Sequence, residues 1–244
     1  LTGALHALGR AGQPPTVPLS VIGDFGGGAL YLALGMLAAL IEARSSGRGQ
    51  VVDAAMLDGA LSLMTIFYGL RAAGIWSDER GTNPTDSGSH FCEVYECADG
   101  KWVAVAAVEA KFHDELLRRM GIDPAEIGPQ MDRANWPRAK EKMAAVFKTK
   151  TRAEWTELLG EVDTCFAPVL SWGEAASHPH IAARRSLVEV DGVVQPAPAP
   201  RFSRTPALEP KAPAEPSPEG NAAALGAWLG SDEIESFRAS GAIS

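Results

Sequence analysis

Apolar residues follow one another without a charge from Ala29 to Ile41 (ALYLALGMLAALI), the most hydrophobic stretch of the chain. At ~1.5 Å per residue this run falls well short of the ~20 residues that span a bilayer, so it predicts a buried core helix continuing to about Ser45. There Ser45-Ser46-Gly47-Arg48-Gly49 supplies the turn chemistry that ends it. Ahead of the run, Val17 to Ile22 (VPLSVI) reads as a short extended segment, followed by Gly23-Asp24-Phe25-Gly26-Gly27-Gly28. The predicted order is strand, glycine loop, helix. Gln50 to Asp53 is a second short strand, and Ala54 to Gly69 returns to helical spacing, with Met56, Leu57, Leu61, Met64 and Phe67 on one buried face.

The pattern then changes. Gly74 to Ser89 is polar and turn-rich, which predicts a linker. His90 to Val108 alternates as a β-hairpin, FCEVYEC and WVAVAAV about the turn Ala98-Asp99-Gly100-Lys101. Lys111 to Met120, Trp136 to Lys148 and Arg152 to Leu159 have helical spacing, the last opened by Thr151 with Glu154 three residues on. Prolines dominate Gln195 to Pro218, predicting an extended surface segment, and a short final helix is expected near Ala222 to Leu229.

Composition narrows the function classes. The 244 residues are 46% hydrophobic and 21% charged, the balance of a globular protein with one large or two small domains. A formal net charge of -8 argues against nucleic acid or an anionic membrane as partner. The opening LTGALHALG lacks the basic flank and cleavage site of a signal peptide, and three scattered cysteines, Cys92, Cys97 and Cys165, make no disulfide framework; a cytoplasmic location is expected.

Asp24 is the most informative candidate for chemistry. A carboxylate ahead of three glycines at a helix start lies beside backbone N–H groups, at Gly26, Gly27 and Gly28, that no side chain shields and that can hold an anion or a developing oxyanion. The alternative is a plain N-cap. The glycines match neither the P-loop nor the dinucleotide fingerprint. Glu109 lies between a strand and a helix, where it either faces a cleft or serves the helix dipole. His178-Pro179-His180 reads as a surface loop, and His90, Cys92 and Cys97 lack the further ligands a structural zinc needs, so no metal is expected. His6 and His113 read as ordinary structural histidines.

The stretches LTGALHALGR, VIGDFGGGALYLALGMLAAL, SSGRGQVVDAAMLDGAL, YECADGKWVAVAAVEAKFH, WPRAKEKMAAVFKTKTRAEW, TCFAPVLSWGEA and PAPRFSRTPA, in this order, resemble the α-methylacyl-CoA racemases of the family III CoA-transferase (CaiB/BaiF-like) superfamily. The resemblance covers nearly all the chain. It implies an α/β fold: a Rossmann-like large domain, of which residues 1–70 are the remainder, a linker at 71–89, a small α+β domain at 90–165, a return linker at 166–200, and a C-terminal segment, 201–244, returning to the large domain. It also implies an interlocked homodimer. Asp24 would be the catalytic aspartate, Glu109 the acidic residue that supports the catalytic histidine, and the Gly26 to Gly28 backbone would lie near the thioester. The substrate would be a 2-methylacyl-CoA, with coenzyme A part of the substrate and no separate cofactor.

The family's GHDINY-like segment, whose histidine is the second catalytic base, is absent ahead of LTG, with the first half of the large domain and most coenzyme A contacts. Neither His6 nor His113 takes that position. Asp86 to Cys92 also departs from the family pattern. The expected activity is racemisation at the α-carbon through an enolate; the alternatives are a CoA transferase with Asp24 as nucleophile, or an inactive fragment of the racemase.

Overall fold

The computed structural model describes residues 1–213 and 217–243, in two compact units, Leu1–Val169 and Leu170–Ser244. In the first, a single turn, α1 (Ala4–Ala7), leads into an irregular segment. The strand expected over Val17 to Ile22 does not form. Pro14, Pro15 and Pro18 lack the N–H that a ladder needs, and Leu19 and Ser20 both adopt left-handed φ values, 51° and 60°. Val21 to Leu30 is instead π-helical and continues without a break into α2 (Tyr31–Ser46). Gly47 ends α2 as anticipated, at φ 74° with its N–H on the Ala43 carbonyl at 2.9 Å.

Gln50 to Asp53, expected as a strand, pairs with no other strand among the described residues. The helix expected over Ala54 to Gly69 is two helices, α3 (Met56–Leu63) and α4 (Thr65–Ala72), parted at Met64, where ψ is 2°. Burial also departs from expectation: no residue of α2 is buried, and Leu34, Met36 and Ile41 are more than half exposed. With the π-helical turns included, Val21 to Ser46 is 26 residues, with a mean hydropathy of 1.6 over its most apolar 18-residue window, long and apolar enough to cross a membrane by length and composition alone. The apolar side chains run around the whole circumference, so one packed neighbour cannot cover them.

The hairpin forms as its alternation requires. β1 (Cys92–Glu96) pairs antiparallel with β2 (Trp102–Ala106), Cys92 opposite Ala106 and Glu96 opposite Trp102, and β3 (Phe166–Pro168) joins the far edge of β2. Helices α5 (Ala110–Met120), α6 (Pro124–Ile127), α7 (Trp136–Phe147) and α8 (Arg152–Leu159) accompany this sheet. The predicted capping box of α8 is present, the Thr151 hydroxyl accepting from the Glu154 N–H and the Glu154 carboxylate from the Thr151 N–H. The core holds Tyr95, Val103, Val105, Leu116, Leu117, Met143, Phe147 and Trp155. Tyr95 stacks on Phe147 at 5.0 Å, and the Phe147 carbonyl accepts from the Trp155 indole at 2.8 Å, so each large aromatic polar atom is satisfied. The sheets are antiparallel, and the architecture is mixed α/β with small sheets.

The expected linker is a knot, not a tether. The Asp86 carboxylate accepts from the N–H groups of Gly81, Asn83 and Gly88 and from the Asn83 side chain, and fully buried Asn83 bonds both backbone groups of Ser77. Strand alternation then puts Glu93 on the core face of β1 beside Tyr95. That buried carboxylate takes both Arg10 guanidinium nitrogens, at 2.7 and 2.8 Å, the Lys140 ammonium at 2.8 Å and the Val94 N–H at 2.7 Å. Lys140 also donates to the Ser87 carbonyl at 2.6 Å. One carboxylate thus joins the N-terminal segment, the sheet, α7 and the knot.

In the second unit, α9 (Trp172–Ser177) opens with a Ser171–Glu174 capping box and α10 (Pro179–Arg184) is capped by His178, whose Nδ1 accepts from the His180 N–H. β4 (Leu187–Val190) and β5 (Val193–Pro196) form a hairpin about Asp191 and Gly192, both at positive φ. These elements replace most of the return linker expected over 166–200. The proline-rich stretch is irregular over 197–213; residues 214–216 of that expectation lie outside the described residues. The C-terminal part carries two helices where one was expected, α11 (Pro218–Leu225) and α12 (Ser231–Ala239).

Glu93→Gln keeps the side-chain shape but leaves two cations without their anion, and is expected to lower the unfolding free energy by about 2–4 kcal/mol. Lys140→Met should cost less, because Arg10 still binds the carboxylate through both nitrogens. Urea denaturation reads both as a shift in midpoint at constant slope; a wild-type midpoint for Glu93→Gln would overturn the linking role.

Candidate functional site

Asp24 lies in the first turn of the π-helical segment. The widened turn is visible where the Phe25 N–H reaches the Ser20 carbonyl, five residues back, at 3.3 Å. The glycines explain why this segment packs where it does. A Cβ on Gly27 would fall 2.6 Å from the Ala60 nitrogen, one on Gly59 would fall 1.9 Å from the Gly27 oxygen, and one on Gly26 would meet the Val21 oxygen at 2.9 Å. Gly27 therefore lets the backbone of the segment lie against α3 at a separation that any side chain would prevent. Gly26, Gly27 and Gly28 sit within the helical segment, not in a loop ahead of it. Asp24 is exposed beside a Phe25 ring that is 59% exposed, and its carboxylate makes no hydrogen bond or ion pair among the described residues.

Glu109 is the N-cap residue of α5, at φ -74° and ψ 136°, yet its side chain makes no capping bond. Its backbone is held from both sides. Ahead of it the Ala107 N–H donates to the Phe91 carbonyl at 2.8 Å, and the Gln130 side-chain amide donates to the carbonyls of Ala107 and Val108 at 3.0 and 2.9 Å. Behind it the Phe112 and His113 N–H groups donate to its own carbonyl. The carboxylate is exposed and makes no hydrogen bond or ion pair among the described residues. Cys165 lies in its field: partial desolvation pushes that thiol up, and Glu109 and Asp163 push it further, which lowers its thiolate fraction. Burial likewise pushes Cys97 up to about 11.

The structure does not bring Asp24 and Glu109 into contact with each other within one chain. Two cavities, of about 400 and 730 Å³, open between the N-terminal segment, α4 and the Ser77–Asn83–Asp86 knot. Neither is lined by Asp24 or Glu109; Ile22, two residues from Asp24, lines the larger. His6 lines the smaller, and its carbonyl accepts from Arg80. Among the described residues there is no cluster of three or more His, Cys, Asp or Glu side chains placed to hold a metal.

The sequence reading missed one pairing. His90 and His113, both buried, face each other with their Nε2 atoms 2.8 Å apart. Burial, with the neighbouring His113, pushes His90 down to about 4; burial also lowers His113, opposed by Asp114. No local signal links residues 23 apart on different elements.

Residues 1–222 match CoA-transferase family III. The chain is 42% identical over 219 residues to the α-methylacyl-CoA racemase of Mus musculus, covering 89% of this chain and 57% of that protein. It is 38% identical over 209 residues to the racemase of Homo sapiens, covering 85% and 55%. A CAIB/BAIF family protein from Brucella suis shares the fold with a TM-score of 0.71 at 20% identity, over 92% of this chain and 60% of that one. The chain belongs to CoA-transferase family III. Within it, the chain is similar to curated α-methylacyl-CoA racemases and spans a little over half their length.

The histidine pair makes stability pH-dependent. Both rings bind protons less readily folded than unfolded, so their contribution is fully present above the ordinary value of 6.5 and is lost as pH falls towards about 4. Thermal unfolding between pH 7.5 and 4.5 should therefore show a decline that a His90→Phe/His113→Phe variant lacks. Parallel profiles for the two proteins would overturn this.

Proposed function

We propose that the full-length protein is a racemase that inverts the α-carbon of 2-methylacyl-CoA thioesters by proton transfer through an enolate. The observation that carries the reading is Asp24: an unpaired, solvent-facing carboxylate on a helix held rigidly by the Gly27–Ala60 contact, in a chain 42% identical to a curated racemase. Racemisation removes a proton from one face of the α-carbon and returns one to the other. The thioester carbonyl takes up the electron pair as the enolate oxygen in between. Two bases on opposite faces satisfy this requirement, each alternating between taking and giving a proton. Asp24 serves one face. The proposal assigns the other to a histidine outside these 244 residues, because His90 and His113 are bonded to each other, His178 caps α10, His180 is exposed on α10 and His6 does not take the position of the family's histidine. Glu109 supports that histidine, and coenzyme A enters as part of the substrate.

The reading extends to assembly. Asp24 and Glu109 are both exposed, unpaired and not in contact within one chain, and the apolar surface of α2 is open. An interlocked homodimer, in which the partner's Glu109 faces Asp24 and the residues around α2 belong to a Rossmann-like large domain, accounts for all three. The close approach of Gly27 to Ala60 and of Gly35 to Val52 supports protein, not lipid, as the cover of this helix.

Incubated with a 2-methylacyl-CoA in deuterated water, the full-length protein should place deuterium at the α-carbon. Asp24→Asn should slow this by about 10²–10⁴-fold with the fold intact, since the amide cannot cycle a proton. Transfer of CoA to an acceptor acid without label would instead make Asp24 a nucleophile attacking the thioester carbonyl, expelling the CoA thiolate and forming a mixed anhydride. Light scattering should give twice the chain mass; a monodisperse monomer would overturn the interlocked arrangement.

A further inference from the structure

Two imidazoles in a buried aromatic corner are a costly way to fill space. His90 is fully buried and His113 is 3% exposed; the Phe91 ring lies 5.2 Å from the first and 6.2 Å from the second. The Nδ1 of His90 has no hydrogen-bond partner. Two phenyl rings would pack there without a desolvation penalty.

The contact itself defines the tautomers. At 2.8 Å one Nε2 must donate and the other accept. If His113 donated, His90 would carry its proton on the unpartnered Nδ1, and the bare His113 Nδ1 would face the Asp114 carboxylate 3.9 Å away. The reverse still leaves the His90 Nδ1 without a partner, now as an acceptor, but turns an N–H instead of a lone pair towards the Asp114 carboxylate. His90 carries Nε2–H and donates it, and His113 carries Nδ1–H, turned towards Asp114.

This directional bond has leverage on Glu109. His113 is one helical turn along α5, and its N–H donates to the Glu109 carbonyl at 3.1 Å. His90 is anchored by the Tyr95 hydroxyl on its carbonyl at 2.7 Å, and the next residue, Phe91, accepts from Ala107, two residues before Glu109. The bond therefore closes a loop around the start of α5. The Glu109 side chain makes no capping hydrogen bond, so what this loop fixes is the position of its Cα and the direction of its Cα–Cβ bond, from which the carboxylate reaches out. Packed apolar side chains tolerate sliding and rotation, whereas a hydrogen bond restricts distance and angle together.

We propose that His90 and His113 are positioning residues that fix the first turn of α5 and so aim the Glu109 carboxylate. The inference rests on the role given to Glu109 above and adds what holds it in place.

The test uses full-length wild type, His113→Phe, His113→Gln and His90→Phe/His113→Phe, followed by α-proton exchange, thermal stability and amide hydrogen exchange. His113→Phe should lower kcat by about 10–100-fold with KM little changed, the scale of a displacement near 1 Å. His113→Gln, which keeps a polar group able to meet His90, should recover most of it. The double variant should recover thermal stability but not kcat, and its backbone amides at positions 112 and 113 should exchange at least about tenfold faster than in wild type. Recovery of kcat together with stability would show that the pair only fills space and would overturn the proposal. Wild-type protection of those two amides in the double variant would overturn it as well, whether or not the protein racemises anything. Absence of exchange in wild type itself would count against the racemase reading alone, leaving the amide measurement to decide the role of the pair.

Discussion

A buried carboxylate is the constraint around which the first unit is arranged. Strand alternation forces Glu93 to the core side of β1, where an ionised group without partners would cost several kcal/mol. Its partners come from far away in sequence: Arg10 precedes it by 83 residues, and Lys140 comes from α7. Both cations keep part of their surface in water while the anion does not, so the cost of burial falls mainly on Glu93 and is met by four hydrogen-bonding contacts. The N-terminal segment thus cannot be placed independently of the sheet, and residues that read as a remnant of one domain and residues that read as another form one unit, Leu1–Val169.

From that anchoring the two candidate carboxylates take their places by different physics. Asp24 is positioned by absence of side chains: Gly27 against Gly59 and Ala60 brings two helices together at backbone contact, and the glycine-rich sequence tolerates π-helical turns there. Glu109 is positioned by hydrogen bonds, from Gln130 ahead of it and through α5 behind it. Both carboxylates face outward. Proton abstraction from a carbon next to a thioester needs a site from which water is excluded, because fixed dipoles act strongly on an enolate only at low dielectric. In the proposed reading two solvent-facing carboxylates would acquire that environment once substrate and further protein cover them, which is why assembly belongs to that proposal.

The outcome for the helices shows how far patterning reaches. Hairpin, turn and capping box were legible because their signals lie within a few residues: alternation in VAVA, Asp99-Gly100 at the turn, Thr151 with Glu154. Helix boundaries in the small sheet's surroundings followed within a residue or two for the same reason. The strand over Val17 to Ile22 does not form because Pro18 lacks the ladder N–H and Leu19 and Ser20 take left-handed conformations that no local signal in the sequence marks. Hydrophobicity at Ala29 to Ile41 correctly indicated a helix, but hydrophobicity says only that a surface prefers to be covered, not that this chain covers it.

By itself the sequence determined the hairpin and helices α5, α7 and α8, the family, and Asp24 and Glu109 as the residues to watch, because short-range periodicity, capping and motif order carry that information. Only the tertiary structure decided the rest: the π-helical setting of Asp24, the knot in place of a linker, the burial of Glu93 between Arg10 and Lys140, and the bond between His90 and His113. Each of these depends on groups brought together by folding, and a charged or imidazole side chain looks the same in a sequence whether it faces water or a single partner across the core.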